Sequence, residues 1–137
     1  MSFVLDNSVA LTWCFEEERT PATASLLERV GEAGAVAPTL WPLEALNGLL
    51  VAERRGRLDA DRCRLLAGFL SALPIRLDGE TASQVWTETS RLAERFGLSS
   101  YDAAYLELAQ RQQLPLASLD HDLRKAAAAL GLTVLGE

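Results

Sequence analysis

The sequence predicts one α/β domain over residues 1–137: a three-layer fold with a mostly parallel five-stranded sheet flanked by helices. Three observations predict it. Short apolar runs alternate with longer amphipathic segments, as strand–helix–strand units require. The short runs are apolar at consecutive positions, which suits strands covered on both faces. Helix signals punctuate the chain: Thr20-Pro21, Asp59 and Ser99 or Ser100 open helices, and Gly34, Gly97 and Gly131 close them.

Phe3-Val4-Leu5 reads as a strand that ends in Asp6-Asn7-Ser8 and passes into a helix expected over about Val9 to Phe15. Glu16-Glu17-Glu18 is a solvated turn. Pro21 starts the next helix, whose Ala24, Leu27 and Val30 keep helical spacing until Gly31 and Gly34 end it. Ala35-Val36-Ala37 is a buried strand stopped by Pro38. A helix is expected from Trp41 to Arg57, placing Glu44, Asn47 and Val51 on one face. Asp59 caps another helix, with Leu65, Leu66, Phe69, Leu70 and Leu73 as its core face. Ile75-Arg76-Leu77 is a strand. Thr81 to Phe96 is amphipathic, with Ala82, Val85, Leu92 and Phe96 facing in. Ser99 to about Gln113 is a helix, Leu114 to Leu119 a strand, His121 to Leu130 a helix, and Leu132 to Leu135 the last strand. Right-handed crossovers then set every strand's C-terminal end on one edge of the sheet.

Composition narrows the function. No segment approaches the roughly 18 apolar residues of a membrane span, and the N-terminal run lacks the basic residues of a signal peptide. A cytoplasmic protein without membrane contact is expected. Cys14 and Cys63 have no metal-site spacing and read as small core residues in a reducing compartment. A net charge of −6 argues against broad electrostatic attraction to nucleic acid, unless cations supply positive charge locally. The one basic concentration, Arg54-Arg55-Gly56-Arg57, reads as a solvated helix C-terminus or as a patch for phosphate or a partner. No glycine-rich phosphate loop is present.

The acids carry the chemistry. Asp6 and Asp120 each follow a strand, so the parallel topology puts them on the same edge, where open α/β sheets bind ligands. Glu44 and Asp102 begin helices expected to start there. Each acid also has a local reading as a helix cap or first-turn acid. Gathered together they repel: at an effective dielectric of 20 and ~5 Å, each pair costs roughly 3 kcal/mol. Capping does not require that expense, and a divalent cation removes it. Oxygen ligands without His or Cys suit Mg²⁺ or Mn²⁺, ions that commonly serve phosphodiester hydrolysis.

LDNS at 5–8, the Glu44-to-Asn47 segment, SSYDAAYLELA at 99–109 and LASLDHDL at 116–123 resemble the PIN-domain ribonucleases, and most of all the VapC-type toxins of bacterial toxin–antitoxin pairs. The resemblance extends over nearly the whole chain. It implies catalytic acids at Asp6, Glu44, Asp102 and Asp120, with Ser8 and Asn47 in support. It implies one or two Mg²⁺ or Mn²⁺ ions on Asp6, Asp102 and Asp120, with Glu44 acting through water. Asp122 matches a more variable acid outside the direct ligands. The resemblance further implies an RNA substrate (transfer or ribosomal RNA), a cognate antitoxin and a homodimer.

His121, the only histidine, is expected on a helix surface. Tyr101 and Tyr105 are expected in the core, with base stacking as the alternative. Trp13, Trp41 and Trp86 are expected in the core or an interface. Thr39 and Ser118 are open to a structural or a ligand hydrogen bond. Two other functions begin from the same residues. An aspartate-nucleophile phosphatase or receiver-like domain also starts with an apolar strand ending in Asp, but the phosphatase needs a second Asp where Ser8 stands. A non-catalytic binding module would use every acid as a cap.

Overall fold

A computed structural model describes residues 2–137. Strands β1 (Val4–Leu5), β2 (Ala35–Pro38), β3 (Ile75–Asp78), β4 (Leu116–Ala117) and β5 (Val134–Leu135) form one sheet in the order β3-β2-β1-β4-β5. Every neighbouring pair is parallel, and Val4 lies between Val36 and Leu116. β1, β2 and β4 are buried along their whole length, so helices cover both faces of the sheet centre. The strand order reverses direction between β1 and β4. The crevice at that reversal is where an open α/β sheet offers a ligand site.

The strands are bounded differently from their apolar runs: β1 begins at Val4, β3 extends to Asp78 and β5 begins only at Val134. Leu114 still completes the preceding helix, donating its N–H to the Ala109 carbonyl, so β4 begins only at Leu116. Pro38 is the last residue of β2 rather than the stop beyond it. At a strand's end the missing N–H is tolerated.

The helices follow their end signals closely. α1 (Asn7–Thr12) is shorter than expected and starts directly after Asp6. After a short helical turn at Glu16–Glu18, α2 (Pro21–Ala33) opens with a reciprocal cap between Thr20 and Thr23. Gly31 lies inside α2, and Gly34 ends it at φ +74°. A Cβ there would stand 2.9 Å from the Pro74 carbonyl oxygen, so only glycine fits. α3 (Trp41–Arg54) packs on α1. A Cβ at Gly48 would meet Leu11 Cδ1 at 2.7 Å, which shows how closely the two helices approach. Arg57, just beyond α3, is tied to Glu17 and Glu18 and stacks over the Phe15 ring, so that part of the basic cluster is a structural clasp.

α4 (Ala60–Ala72) buries Cys63, Leu66 and Leu70. Leu65, expected inside, is exposed, because the face turned to the core is centred on 63, 66 and 70. The segment after β3 is α5 (Thr81–Gln84), a π-helical stretch at Val85–Thr89 and α6 (Ser90–Phe96). Thr81, Thr89 and Leu92 are buried, while Ala82 is exposed and Trp86 stands 88% exposed, outside the core. Trp13 and Trp41 are buried, as expected.

α7 (Ser100–Gln112) lies across β2, β1 and β4 with residues 103–109 all buried. It carries Glu107 into the interior, where Arg111 grips its carboxylate through Nε at 2.8 Å and Nη2 at 3.0 Å. The same guanidinium reaches Asp78 Oδ2, at the end of β3, at 2.5 Å. Burial pushes the Asp78 carboxyl up, but Arg111, the Glu80 amide and Thr81 outweigh it and hold it below the usual range. This ion network joins α7 to the β3 edge of the sheet. α8 (His121–Ala129) and β5 complete the domain. Among the described residues, no helix is long and apolar enough to cross a membrane. Cys14 and Cys63 are buried free thiols.

Candidate active site

Asp6 leaves the end of β1 at the N-cap position of α1, yet its side chain makes no capping bond. It is 5% exposed, and its Oδ2 accepts from Ser8 Oγ at 2.6 Å and from Ser118 Oγ at 2.8 Å. Each serine is itself held from the β4–α8 loop. Ser8 Oγ accepts the Leu119 N–H at 2.9 Å, and Ser118 Oγ accepts the Asp120 N–H at 3.1 Å. Two hydroxyls thus clamp Asp6 and stitch the end of β1 to the end of β4. Burial raises the Asp6 carboxyl above its usual range, and the serine bonds offset only part of this.

Glu44 lies in the first turn of α3 and does not cap it. Its Oε1 accepts the Tyr105 hydroxyl at 2.6 Å. Burial and the charge of Asp6 push the Glu44 carboxyl up, against the Tyr105 bond. Asp102 lies in the first turn of α7, where Ser99 supplies the cap by accepting the Asp102 N–H at 3.1 Å. Burial, then the charges of Asp6, Asp120, Glu44 and Asp122, push Asp102 from 3.8 up to about 6. A helix N-terminus would pull it down, so burial and crowding win here. Asp120 does cap: its Oδ1 accepts the Leu123 N–H at 2.9 Å at the start of α8.

Capping therefore accounts for Asp120 alone among Asp6, Glu44, Asp102 and Asp120. The fold brings all of them into electrostatic range of Asp102 from separate parts of the chain, with Asp122 on the same rim. Asn47, one turn after Glu44 on α3, is exposed, and no hydrogen bond ties it to the acids among the described residues. His121 is exposed at the start of α8. Tyr101, expected in the core, is 62% exposed beside Asp102, because positions 103–109 already fill the buried face of α7.

A PIN domain model matches residues 3–129. The chain belongs to the PIN domain family. No curated protein sequence matches it significantly. Solved structures with the same fold include PAE2754 from Pyrobaculum aerophilum (TM-score 0.68, 23% identity), aligned over 92% of this chain and 84% of that one. VapBC2 from Rickettsia felis, bound to a promoter DNA fragment, aligns over 100% and 99% (TM-score 0.68, 13% identity). VapC20 from Mycobacterium tuberculosis, a sarcin-ricin loop cleaving toxin, aligns over 96% of each chain (TM-score 0.60, 14% identity).

The donors this PIN domain offers at the crevice are carboxylate oxygens, which suit a hard divalent cation. No three His, Cys, Asp or Glu side chains among the described residues form a ready-made cage. Two residues sharpen the site beyond the acids. Ser118 resolves to a buried bond with Asp6. Tyr105 is a core residue, as expected, but its hydroxyl reaches an acid. The available sequence signal was its position three residues after Asp102, on the same helical face.

The crowding of Asp102 has a measurable effect. Its folded pKa of about 6 stands above the ordinary 3.8, so the folded PIN domain holds this proton more tightly than the unfolded chain. Ionised Asp102 thus destabilises the fold, not at all at pH 3 and fully at pH 7. Asp102→Asn is expected to stabilise by about 1 kcal/mol at neutral pH, after allowing for solvent screening at this half-buried position, or about 3 °C in Tm. The gain vanishes near pH 3. Thermal melts of both proteins across this range check it, and a gain independent of pH contradicts the assignment.

Proposed function

We propose that this PIN domain is a metal-dependent endoribonuclease, the toxin of a toxin–antitoxin pair. The observation that carries the reading is the convergence of acids on Asp102, which capping does not explain. Asp6, Asp102 and Asp120 would hold one or two Mg²⁺ or Mn²⁺ ions, with Glu44 acting through water and Asp122 outside the direct ligands. Held there, such an ion would supply Lewis acidity for activating water as the nucleophile and positive charge to offset the scissile phosphate and leaving oxygen. Ser8 and Ser118 fix Asp6 so that it need not reorganise when substrate arrives. With a net charge of −6, the protein would draw phosphate to the site through the cations rather than through a basic surface.

The likeness to VapC20, a sarcin-ricin loop cleaving toxin, supports RNA as the substrate class, with transfer or ribosomal RNA as first candidates. The likenesses to VapC20 and VapBC2 support a cognate antitoxin as partner. A homodimer in the cytoplasm completes the reading.

The test uses the purified protein with mixed transfer and ribosomal RNA. Cleavage is expected with Mn²⁺, is stopped by EDTA and returns with excess Mn²⁺. The ion also raises Tm, since a ligand at about 100 times its Kd stabilises by about 2.7 kcal/mol. Undiminished cleavage in EDTA would remove the metal from the mechanism. No cleavage with any divalent ion would remove the nuclease.

A further inference from the structure

We propose that Tyr105 is a positioning residue for Glu44: its hydroxyl holds the Glu44 carboxylate against the acid cluster and fixes how its two oxygens are turned. The inference rests on the nuclease reading and deepens it.

Glu44 has every physical reason to leave. It is half-buried, it has three freely rotating side-chain bonds, and it faces other carboxylates. Unrestrained, like charges separate and the side chain swings toward water. The bond from Tyr105 opposes this. At 2.6 Å it is short, and a hydroxyl donating to a carboxylate makes a charge-assisted bond about twice as strong as a neutral one.

The donor is rigid. Tyr105 is fully buried in the stretch of α7 that lies on the sheet, so its ring cannot follow Glu44 outward. It stands three residues after Asp102 on the same helix. One helix thus supplies an acid and, one turn on, the clamp for the acid opposite. The distance between Glu44 and Asp102 is set by α7 itself rather than left to repulsion.

The bond also defines what Glu44 can offer. Tyr105 engages Oε1, and among the described residues no donor engages Oε2. Glu44 therefore has Oε2 as the oxygen without a protein donor, turned to meet an ion or its water.

The experiment compares wild type, Tyr105→Phe, Glu44→Gln and the double variant. Each is measured for Mn²⁺ affinity by calorimetry, for kcat and KM on RNA and for Tm. Phenylalanine keeps the buried ring, so the fold should survive with Tm within a few degrees. Removing a partner that orients a metal-site ligand typically costs 10–100-fold in affinity or activity. Tyr105→Phe should therefore weaken Mn²⁺ binding and lower kcat roughly 10-fold, with KM little changed. The double variant should be no worse than Glu44→Gln alone, because the clamp has no purpose once the charge is gone. Wild-type Mn²⁺ affinity and kcat in Tyr105→Phe, or additive losses in the double variant, would overturn the positioning role while leaving the nuclease reading intact. A wild-type protein that neither binds Mn²⁺ nor cleaves RNA overturns both.

Discussion

Asp6→Asn is expected to lower RNA cleavage by at least roughly 10²–10³-fold, the scale seen when a key electrostatic group at a reaction centre is removed. The folded protein should persist. Asparagine is nearly isosteric, and its carbonyl oxygen can still accept from Ser8 and Ser118, so the stitch between β1 and β4 survives. What is lost is a negative charge at the most buried of the four candidate catalytic acids, where burial already works against ionisation. The variant should match the parent in circular dichroism and be at least as stable thermally. It should not arrest growth when expressed. Turnover near the wild-type rate would mean that Asp6 is only a structural anchor.

The largest effect on stability is expected at the ion network of Arg111, Asp78 and Glu107. Arg111→Met would leave Asp78 and Glu107 buried without their shared cation. Breaking a buried ion pair by removing one partner typically costs 3–5 kcal/mol. Arg111 is partly exposed, so the lower end applies: about 3 kcal/mol, or about 10 °C in Tm. This is a large share of the roughly 5–15 kcal/mol that holds a domain together. Thermal and urea melts of the purified variant measure it. Replacing the whole network by apolar residues, with Asp78→Leu and Glu107→Leu added to Arg111→Met, should recover much of the loss, because no charge is then stranded. A single variant as stable as the parent would show that water already satisfies these carboxylates.

The fold was readable because its evidence is local. Leu5, Val36 and Leu116 sit in short apolar runs, and Thr20, Ser99 and Asp120 announce helix starts within a few residues. The parallel order then followed from connection rules. The features that escaped depend on distant partners or on backbone detail. Tyr105 meets Glu44 across 61 residues, and Arg111 meets Asp78 across 33. A tyrosine in an apolar helix announces burial but not what its hydroxyl touches. The π-helical stretch at Val85–Thr89 is written in no single residue, and apolar Ala82 was expected inside where the structure buries its neighbour Thr81, hydrogen-bonded to Asp78. For the acids, sequence spacing indicated that they could meet. It also offered Ser99 or Ser100 as the cap of α7 and Ser8 in support of Asp6, but it left open what Ser118 binds, which is the Asp6 carboxylate.

The sheet order has a consequence for how such a protein is made. β1 sits at the centre, and the strand that completes its far side, β4, is synthesised late. A chain still on the ribosome can bring Asp6, Glu44 and Asp102 into being, but it lacks both Ser118 and Asp120 until β4 has emerged. Under the proposed function, the nascent toxin is harmless beside the RNA that is translating it. The acid cluster is complete only once the last part of the fold has formed.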